Sequence, residues 1–294
     1  MPVRRCYRLA VLLSLCGGAV LDAQMNPYFT AISYPLPRDT MMFMLLPDFQ
    51  VARSTRNFFT GMGMVQYGVT SRWTAGFMAE GNKIVGLPVT YGGVRFNTYF
   101  RVFPKDRILN FTVYGEFEDL NEAALYKMEV SGFGGADLAG PLAAARRTPA
   151  RTFEQRAIVY HDWGRINLTF NFISETGLSR PGNDFGYALG AFRQPLWTGM
   201  AGMTGMSNPP TLSLQRLGFG LEMIGALGTN HRFGFDWPSE QQYLGPIFSY
   251  ALSRSWTARV EPAFGLSGVS DPFVLRMGVT YSIDSFARRL ARAF

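Results

Sequence analysis

The segment 94–102 reads VRFNTYFRV, and the segment 109–118 reads LNFTVYGEFE. In both, one set of alternate positions is mainly Val, Phe and Leu, and the other carries Arg, Asn, Tyr and Glu. Successive side chains of a β-strand point to opposite faces, whereas a helix would scatter these residues around a cylinder. The pattern therefore predicts two strands, each with one apolar and one polar face, joined by the short polar turn 104–107.

The same two-residue alternation recurs along the chain, at 166–175 and 273–283 among other places. Twelve strands are predicted, near 40–52, 57–69, 72–81, 93–103, 108–118, 152–161, 166–175, 184–194, 214–227, 241–252, 256–266 and 272–283. The first candidate contains Pro47, and the segment 196–212 is long for a simple turn. Counts of 10 and 14 strands therefore stay open as alternatives.

Short and long connections alternate between these strands. The short ones are 69–72, 104–107, 162–165 and 253–255, and the longer ones are 82–92, 119–151, 176–183, 228–240 and 267–272. This is the pattern of an up-and-down outer-membrane barrel, with short periplasmic turns and longer external loops. The even strand count places both ends of the barrel on the periplasmic side.

A soluble β-sandwich also alternates, so the membrane assignment needs further support. The strands are near 10 residues long, which is the length that spans a bilayer. Charges of both signs occur in mid-strand, and aromatic residues flank the short turns as an interfacial girdle would: Tyr67, Trp73, Phe103, Trp163, Trp256 and Tyr281. We therefore predict an all-β fold, a transmembrane up-and-down antiparallel barrel of about 12 strands, over residues 24–283.

The chain begins with the pattern of a secretory signal peptide, predicted over residues 1–23. Arg4 and Arg5 are followed by the apolar run 9–15 and by small residues up to Ala23. Acylation of Cys16 is an alternative, because residues 13–17 resemble a lipobox, although Leu15 is atypical there. Both cysteines, Cys6 and Cys16, lie in this leader, so the mature chain is expected to hold neither disulfides nor thiolate metal sites.

Residues 284–294 are predicted to form a short periplasmic amphipathic helix after the last strand. Its apolar positions recur at helical spacing opposite a basic face, and Asp284 or Ser285 is the expected cap. The apolar positions are Phe286, Leu290, Ala293 and Phe294, and the basic ones are Arg288, Arg289 and Arg292. Such a helix suits the inner-leaflet surface, whereas a frayed solubilising tail is the alternative.

Two stretches resemble known barrel proteins. Residues 66–77, QYGVTSRWTAGF, look like a hairpin common in Gram-negative outer-membrane barrels of the transporter type, including the family associated with the meta-pathway of phenol degradation. The stretches 243–246 (YLGP), 263–266 (AFGL) and 274–281 (VLRMGVTY) are similar too. The resemblance implies an outer-membrane barrel for small, often hydrophobic compounds. Its motifs are architectural, so it carries over no ligand-binding residue.

The polar faces of the strands supply the candidate site. We expect these residues to line the lumen: Arg95, Asn97, Arg101, Glu116, Glu154, Arg156, Arg216, Glu222, Arg259, Glu261 and Arg276. Cross-strand ion pairs are expected between Arg95 or Arg101 and Glu116, among Arg259, Glu261 and Arg276, and between Glu154 and Arg156. Such pairs would form a constriction that selects solutes by size and charge, or ladders that fill a closed lumen. Loop 119–151 is expected to fold inward as a constriction or to lie outside as a lid.

No catalytic constellation is evident, and we expect no enzyme activity, no metal and no cofactor. A barrel hydrolase needs a serine beside a histidine, and neither His161 nor His231 has one near in sequence. The methionines at 62, 64, 200, 203 and 206 are candidate copper ligands, but their spacing equally fits flexible apolar side chains that fill space in the fold.

The expected partners follow from the predicted location. They are outer-membrane lipid, a small-molecule solute and the barrel-assembly machinery. Nucleic acid is excluded, because the 28 basic residues are dispersed and the chain is exported. Two functions remain: a channel or transporter for small solutes, and a plugged structural or interaction barrel.

Overall fold

The computed structural model describes residues 26–53, 56–104, 107–126, 147–179, 181–197 and 212–293. The predicted signal peptide, the acylation alternative at Cys16 and most of the segment 196–212 lie outside these residues. So does the part of loop 119–151 between 127 and 146.

Twelve strands form the wall, as predicted. They are β1 Met41–Val51, β2 Phe58–Gly68, β3 Trp73–Ile84, β4 Thr90–Arg101, β5 Asn110–Asn121, β6 Pro149–Trp163, β7 Ile166–Gly177, β8 Asn183–Arg193, β9 Leu217–Thr229, β10 Gln242–Ala251, β11 Trp256–Gly265 and β12 Phe273–Ile283. The prediction for β9 starts too early, because residues Leu214–Arg216 form a 3₁₀-helix whose first turn is capped by Ser213.

Each strand pairs antiparallel with its neighbours in sequence, and β1 pairs with β12 to close the barrel. The seam runs from Met41 opposite Ile283 to Val51 opposite Phe273. Closure leaves no strand edge exposed, which a wall surrounded by hydrocarbon requires. The up-and-down barrel is therefore confirmed, and the sandwich alternative is wrong.

The outward face of the wall is apolar around the barrel. Phe96, at the middle of β4, has 53% of its surface exposed, while its neighbours Arg95 and Asn97 face inward and are buried. Trp73, Trp163 and Trp256 are exposed beside the turns at one end, where an interfacial girdle is expected. An exposed apolar surface of this extent fits a bilayer rather than water.

That end, which we call the short-turn end, also holds the start of β1 and the end of β12. The other end, the long-loop end, holds the connections after β1, β3, β5, β7, β9 and β11. In the described part of the chain, no helix combines the length and apolarity needed to cross a bilayer.

The predicted C-terminal helix is present as α1, Phe286–Ala293, but the predicted cap is wrong. Ser285 has a positive φ of 54°, so the chain turns sharply and the first helical N–H groups point toward the start of β1. The Asp39 side chain accepts a hydrogen bond from Ala287 N at 2.8 Å, and the Asp39 carbonyl accepts one from Phe286 N. Asp39 therefore does what Asp284 or Ser285 was expected to do.

We predict that Phe96→Arg destabilises the folded barrel by about 2–4 kcal/mol, because it places a charge against hydrocarbon at mid-wall. The measurement is chemical unfolding in lipid vesicles, followed by tryptophan fluorescence. The matched control is Val89→Arg, at a residue that is 70% exposed in the connection before β4. Equal effects at the two positions would contradict a membrane-facing position for Phe96.

Candidate functional site: the barrel lumen

Residues 26–36, here called the N-terminal segment, lie inside the lumen and not in the wall. Pro27 and Pro35 lack a backbone N–H, so this stretch cannot pair fully as another strand. Leu36 N donates to Thr74 Oγ1 at 2.8 Å near the short-turn end. Further along the segment Tyr28 and Ala31 are buried, with at most 2% of their surface exposed. The lumen therefore holds a stretch of the protein's own chain.

One carboxylate, that of Glu222 on β9, binds the middle of this segment. It accepts hydrogen bonds from three successive backbone N–H groups, at 3.2 Å from Phe29, at 2.9 Å from Thr30, and from Ala31. Glu222 has no exposed surface. Successive N–H groups directed at one anion form a compact anion-binding nest, and here the anion belongs to the wall.

Three arginines bind the carbonyl and hydroxyl oxygens of the same segment. Arg259 Nη1 donates to the carbonyl oxygens of Asn26 and Tyr28, both at 2.9 Å. Arg156 donates to the carbonyl oxygen of Thr30, and Arg276 donates to the Thr30 hydroxyl at 2.6 Å. The Phe29 ring lies 5.1 Å from the guanidinium carbons of both Arg259 and Arg276. The wall thus recognises mainly the backbone of the segment.

Strand β7 supplies further contacts with the segment. Asn171 bonds both backbone groups of Ile32, accepting from its N–H at 2.8 Å and donating to its carbonyl oxygen at 2.9 Å. The Tyr28 hydroxyl donates to Asn167 Oδ1 at 2.9 Å. Burial, followed by the charge of Glu222, raises the pKa of the Tyr28 hydroxyl well above its ordinary value, so it stays protonated as a donor.

The Tyr28 ring needs the glycine at position 190. A Cβ atom built on Gly190 would collide with the ring, so only glycine leaves enough space on β8 for it. The ring also packs edge-on against Phe192, with centroids 6.2 Å apart.

The predicted ion pairs form in part. Arg95 contacts Glu80 at 3.2 Å, Glu116 at 3.3 Å and also Glu118, which makes a buried cluster on β3–β5. Arg156 contacts Glu154 at 2.6 Å, and Arg276 contacts Glu261 at 3.5 Å. Removal of these charges from water is costly, so each needs such partners.

Three predicted lumen residues, Arg101, Arg216 and Arg259, lie outside these ion pairs. Arg101 lies opposite Thr112 near the short-turn end, whereas Glu116 lies opposite Asn97, so the expected Arg101–Glu116 pair is separated by the register. Arg216, in the 3₁₀-helix before β9, donates to the carbonyl oxygens of Ala251 and Leu252, both at 3.0 Å. Arg259 was expected to pair with Glu261, but it binds the carbonyl oxygens of the N-terminal segment instead.

Between the N-terminal segment and strands β1–β3 lies a cavity of about 140 Å³. Its wall on those strands is rich in methionine: Met42, Met44, Met62, Met64 and Met78. Of the predicted lumen residues, these line the cavity: Arg95, Asn97, Glu116, Glu154, Arg156, Arg259 and Arg276. Glu222 and Glu261 are fully buried. The cavity therefore has an apolar side and an ionic side.

These five methionines, here called the methionine wall, were not predicted from the sequence to line the lumen, although one signal was present. Residues 41–46 read MMFMLL, a continuous apolar run in which the alternation is lost. Such runs are typical of strands whose two faces are both apolar. The even-numbered residues of this run face the lumen, and Phe43 and Leu45 face outward with exposed surfaces.

Neither histidine lies in this lumen site. His161 lines an outward groove with Leu168, Phe170 and other apolar residues, and the described residues of that groove include no serine. His231 lies in the connection after β9. Among the residues that the structure describes, no group of three or more His, Cys, Asp or Glu side chains could hold a metal ion.

The wall is closed, has 12 strands, and is apolar outside and ionic inside, which together define a transmembrane β-barrel of the bacterial outer-membrane type. The chain is similar in fold to the KdgM porin in complex with disordered oligogalacturonate, with a TM-score of 0.50 and 9% identity over 82% of this chain and 99% of that one. The NanC porin gives a TM-score of 0.46 and 10% identity, over 81% of this chain and 98% of that one.

The CymD monoaromatic hydrocarbon channel gives a TM-score of 0.40 and 10% identity, over 85% of this chain and 90% of that one. No protein-family model matches the chain, and no curated protein matches it. The general outer-membrane resemblance seen in the sequence is confirmed at the level of fold. The more specific resemblance to the phenol meta-pathway family stays a prediction.

We predict that Arg95→Ala destabilises the barrel by about 3–5 kcal/mol, because it leaves three buried carboxylates without their common cation. The exposed pair Arg151–Asp119, at 2.9 Å, provides the matched control. Arg151→Ala should cost only about 0–1 kcal/mol. Both are measured by chemical unfolding in lipid vesicles, and similar losses for the two variants would show that burial of the Arg95 cluster is unimportant.

Proposed function

We propose that this protein is an outer-membrane channel for small solutes, and that the solute passes between the N-terminal segment and the methionine wall. One observation carries the proposal: the cavity of about 140 Å³ lies inside a closed membrane-spanning wall, in the part of the lumen that the segment leaves free. We expect no catalysis, metal or cofactor in this role.

The lining of the cavity supports small solutes with an apolar part. Methionine side chains are flexible and polarisable, so they adapt to ligands of different shapes. Met44, Met62 and Met64 are only partly buried, and they lie on the cavity. The opposite side offers Arg156 and Glu154, which can bind a polar or charged group on the same solute. Folded or bulky polymers do not fit, because the free space is only about 140 Å³.

The alternative function is a plugged structural barrel, and the N-terminal segment favours it. Charged side chains bind the segment on several sides, and the lumen that it occupies is narrow in a barrel of 12 strands. The two functions differ in one measurable property, which is whether solutes cross a membrane that contains the purified protein.

We predict that Met44→Trp lowers conductance across planar bilayers several-fold and slows liposome swelling with small solutes. The larger ring would occupy the free part of the lumen. Leu45→Trp is the matched control, because Leu45 is the next residue of β1 and is 59% exposed on the outward face. It should leave both measurements unchanged. Identical conductance for the wild type and both variants would exclude a path along the methionine wall.

A further inference from the structure

The side of the lumen formed by β6–β9, β11 and β12 has the properties of a peptide-binding site. Its side chains bond the backbone of the N-terminal segment at successive residues. The N–H groups of residues 29–32 and the carbonyl oxygens of residues 26, 28, 30 and 32 all have such partners. Backbone recognition of this kind binds a peptide through its main chain, here with residues 29–31 curved around the Glu222 carboxylate.

The site is also shaped for particular side chains of the segment. Gly190 leaves space for the Tyr28 ring, and the Phe29 ring lies against the guanidinium groups of Arg259 and Arg276. Ala31 is fully buried within an apolar cluster that includes Ile173, Ile224 and Ile247. These contacts fix the register of the segment, because a shift by one residue would place Phe29 at the position of Tyr28.

Every contact between the segment and the wall is non-covalent. Ordering this segment costs conformational entropy, which opposes the gain from hydrogen bonds to charged groups. The chain carries cysteine only at positions 6 and 16, so no disulfide fixes residues 26–36 to the wall. The segment is continuous with β1 at the short-turn end, where Asp39 N donates to the carbonyl oxygen of Gly68.

From these contacts we infer that the N-terminal segment is a reversible plug, which narrows the lumen to the space along the methionine wall in the low-conductance state and leaves the peptide site through the short-turn end in the high-conductance state. This inference rests on the channel function proposed above. Its specific content is that the site binds the sequence NPYFTAISYPL, residues 26–36, whether or not that peptide is attached to the barrel.

The first experiment compares wild-type protein with a variant that lacks residues 26–36, in planar bilayers. The deletion should raise conductance several-fold. The synthetic peptide of residues 26–36, added at the short-turn side, should then block the variant. A peptide that is N-methylated at Thr30 and Ala31 should fail to block, because it lacks two of the N–H groups that Glu222 binds.

The second experiment keeps the full chain, in case the deletion variant fails to fold. Ser33 Oγ and Asn167 Oδ1 are 2.8 Å apart, so Ser33→Cys with Asn167→Cys places two thiols near each other, and their oxidation, verified by the loss of free thiols, would join the segment to β7. The oxidised pair should hold the channel in its low-conductance state, and reduction should raise conductance to at least the wild-type level, because the reduced variant has lost both the covalent link and the Asn167 side chain that binds the segment. Gly190→Val, which displaces Tyr28, should raise conductance, whereas Gly63→Val, at a glycine with open space around it, should not.

The outcomes separate this inference from the channel function. If neither the deletion variant nor the reduced cysteine variant conducted, both the plug and the channel function would be overturned. Equal conductance of wild-type and deletion variant would overturn the plug and leave the channel. The same conclusion would follow if the oxidised and reduced cysteine pair conducted equally, or if the N-methylated peptide blocked as well as the unmodified one.

Discussion

The structure depends on one constraint, which is that a charged group inside the wall needs a partner. A carboxylate or guanidinium removed from water costs several kcal/mol unless nearby groups compensate it. Arg95 meets this requirement with three carboxylates from the wall itself. Glu222 meets it differently, because its partners include three backbone N–H groups of the N-terminal segment. The lumen and the segment are therefore electrostatically complementary, and neither is complete alone.

The same constraint gives the lumen two chemically different sides. On β6–β9, β11 and β12, ionic and amide groups are satisfied by the segment, and apolar residues such as Ile173 and Ile224 surround Ala31. On β1–β3, methionines face the remaining space, where they require no hydrogen-bond partner. A solute in the cavity would thus meet a compliant apolar surface on one side and fixed charges on the other.

The sequence predicted the wall well because its information is local. Alternation along 94–102 and 109–118 reports which side chains share a face, and the turn residues between them set the hairpin. The contacts of the lumen are different, because they join residues far apart in sequence. Glu222 and Ala31 are separated by 191 positions, and no periodic pattern links them. The pairs that were predicted correctly lie on one strand, as Glu154–Arg156 does, or on neighbouring strands, as Arg95–Glu116 does. The prediction of the α1 cap failed for the same reason: Asp39 is far from the helix in sequence and reaches it only when β1 closes against β12.

Gly190 has a consequence for comparing barrels of this kind. Its missing side chain is matched to an aromatic ring that lies 162 positions earlier in the chain, at Tyr28. A homologous wall that carries valine or leucine at this point would exclude the ring, whatever the rest of its strands looked like. The residue at this one position of the eighth strand can be read from genomic sequence alone. Glycine there marks homologues whose lumen has space for the tyrosine of an N-terminal segment, and a larger residue marks homologues whose lumen does not.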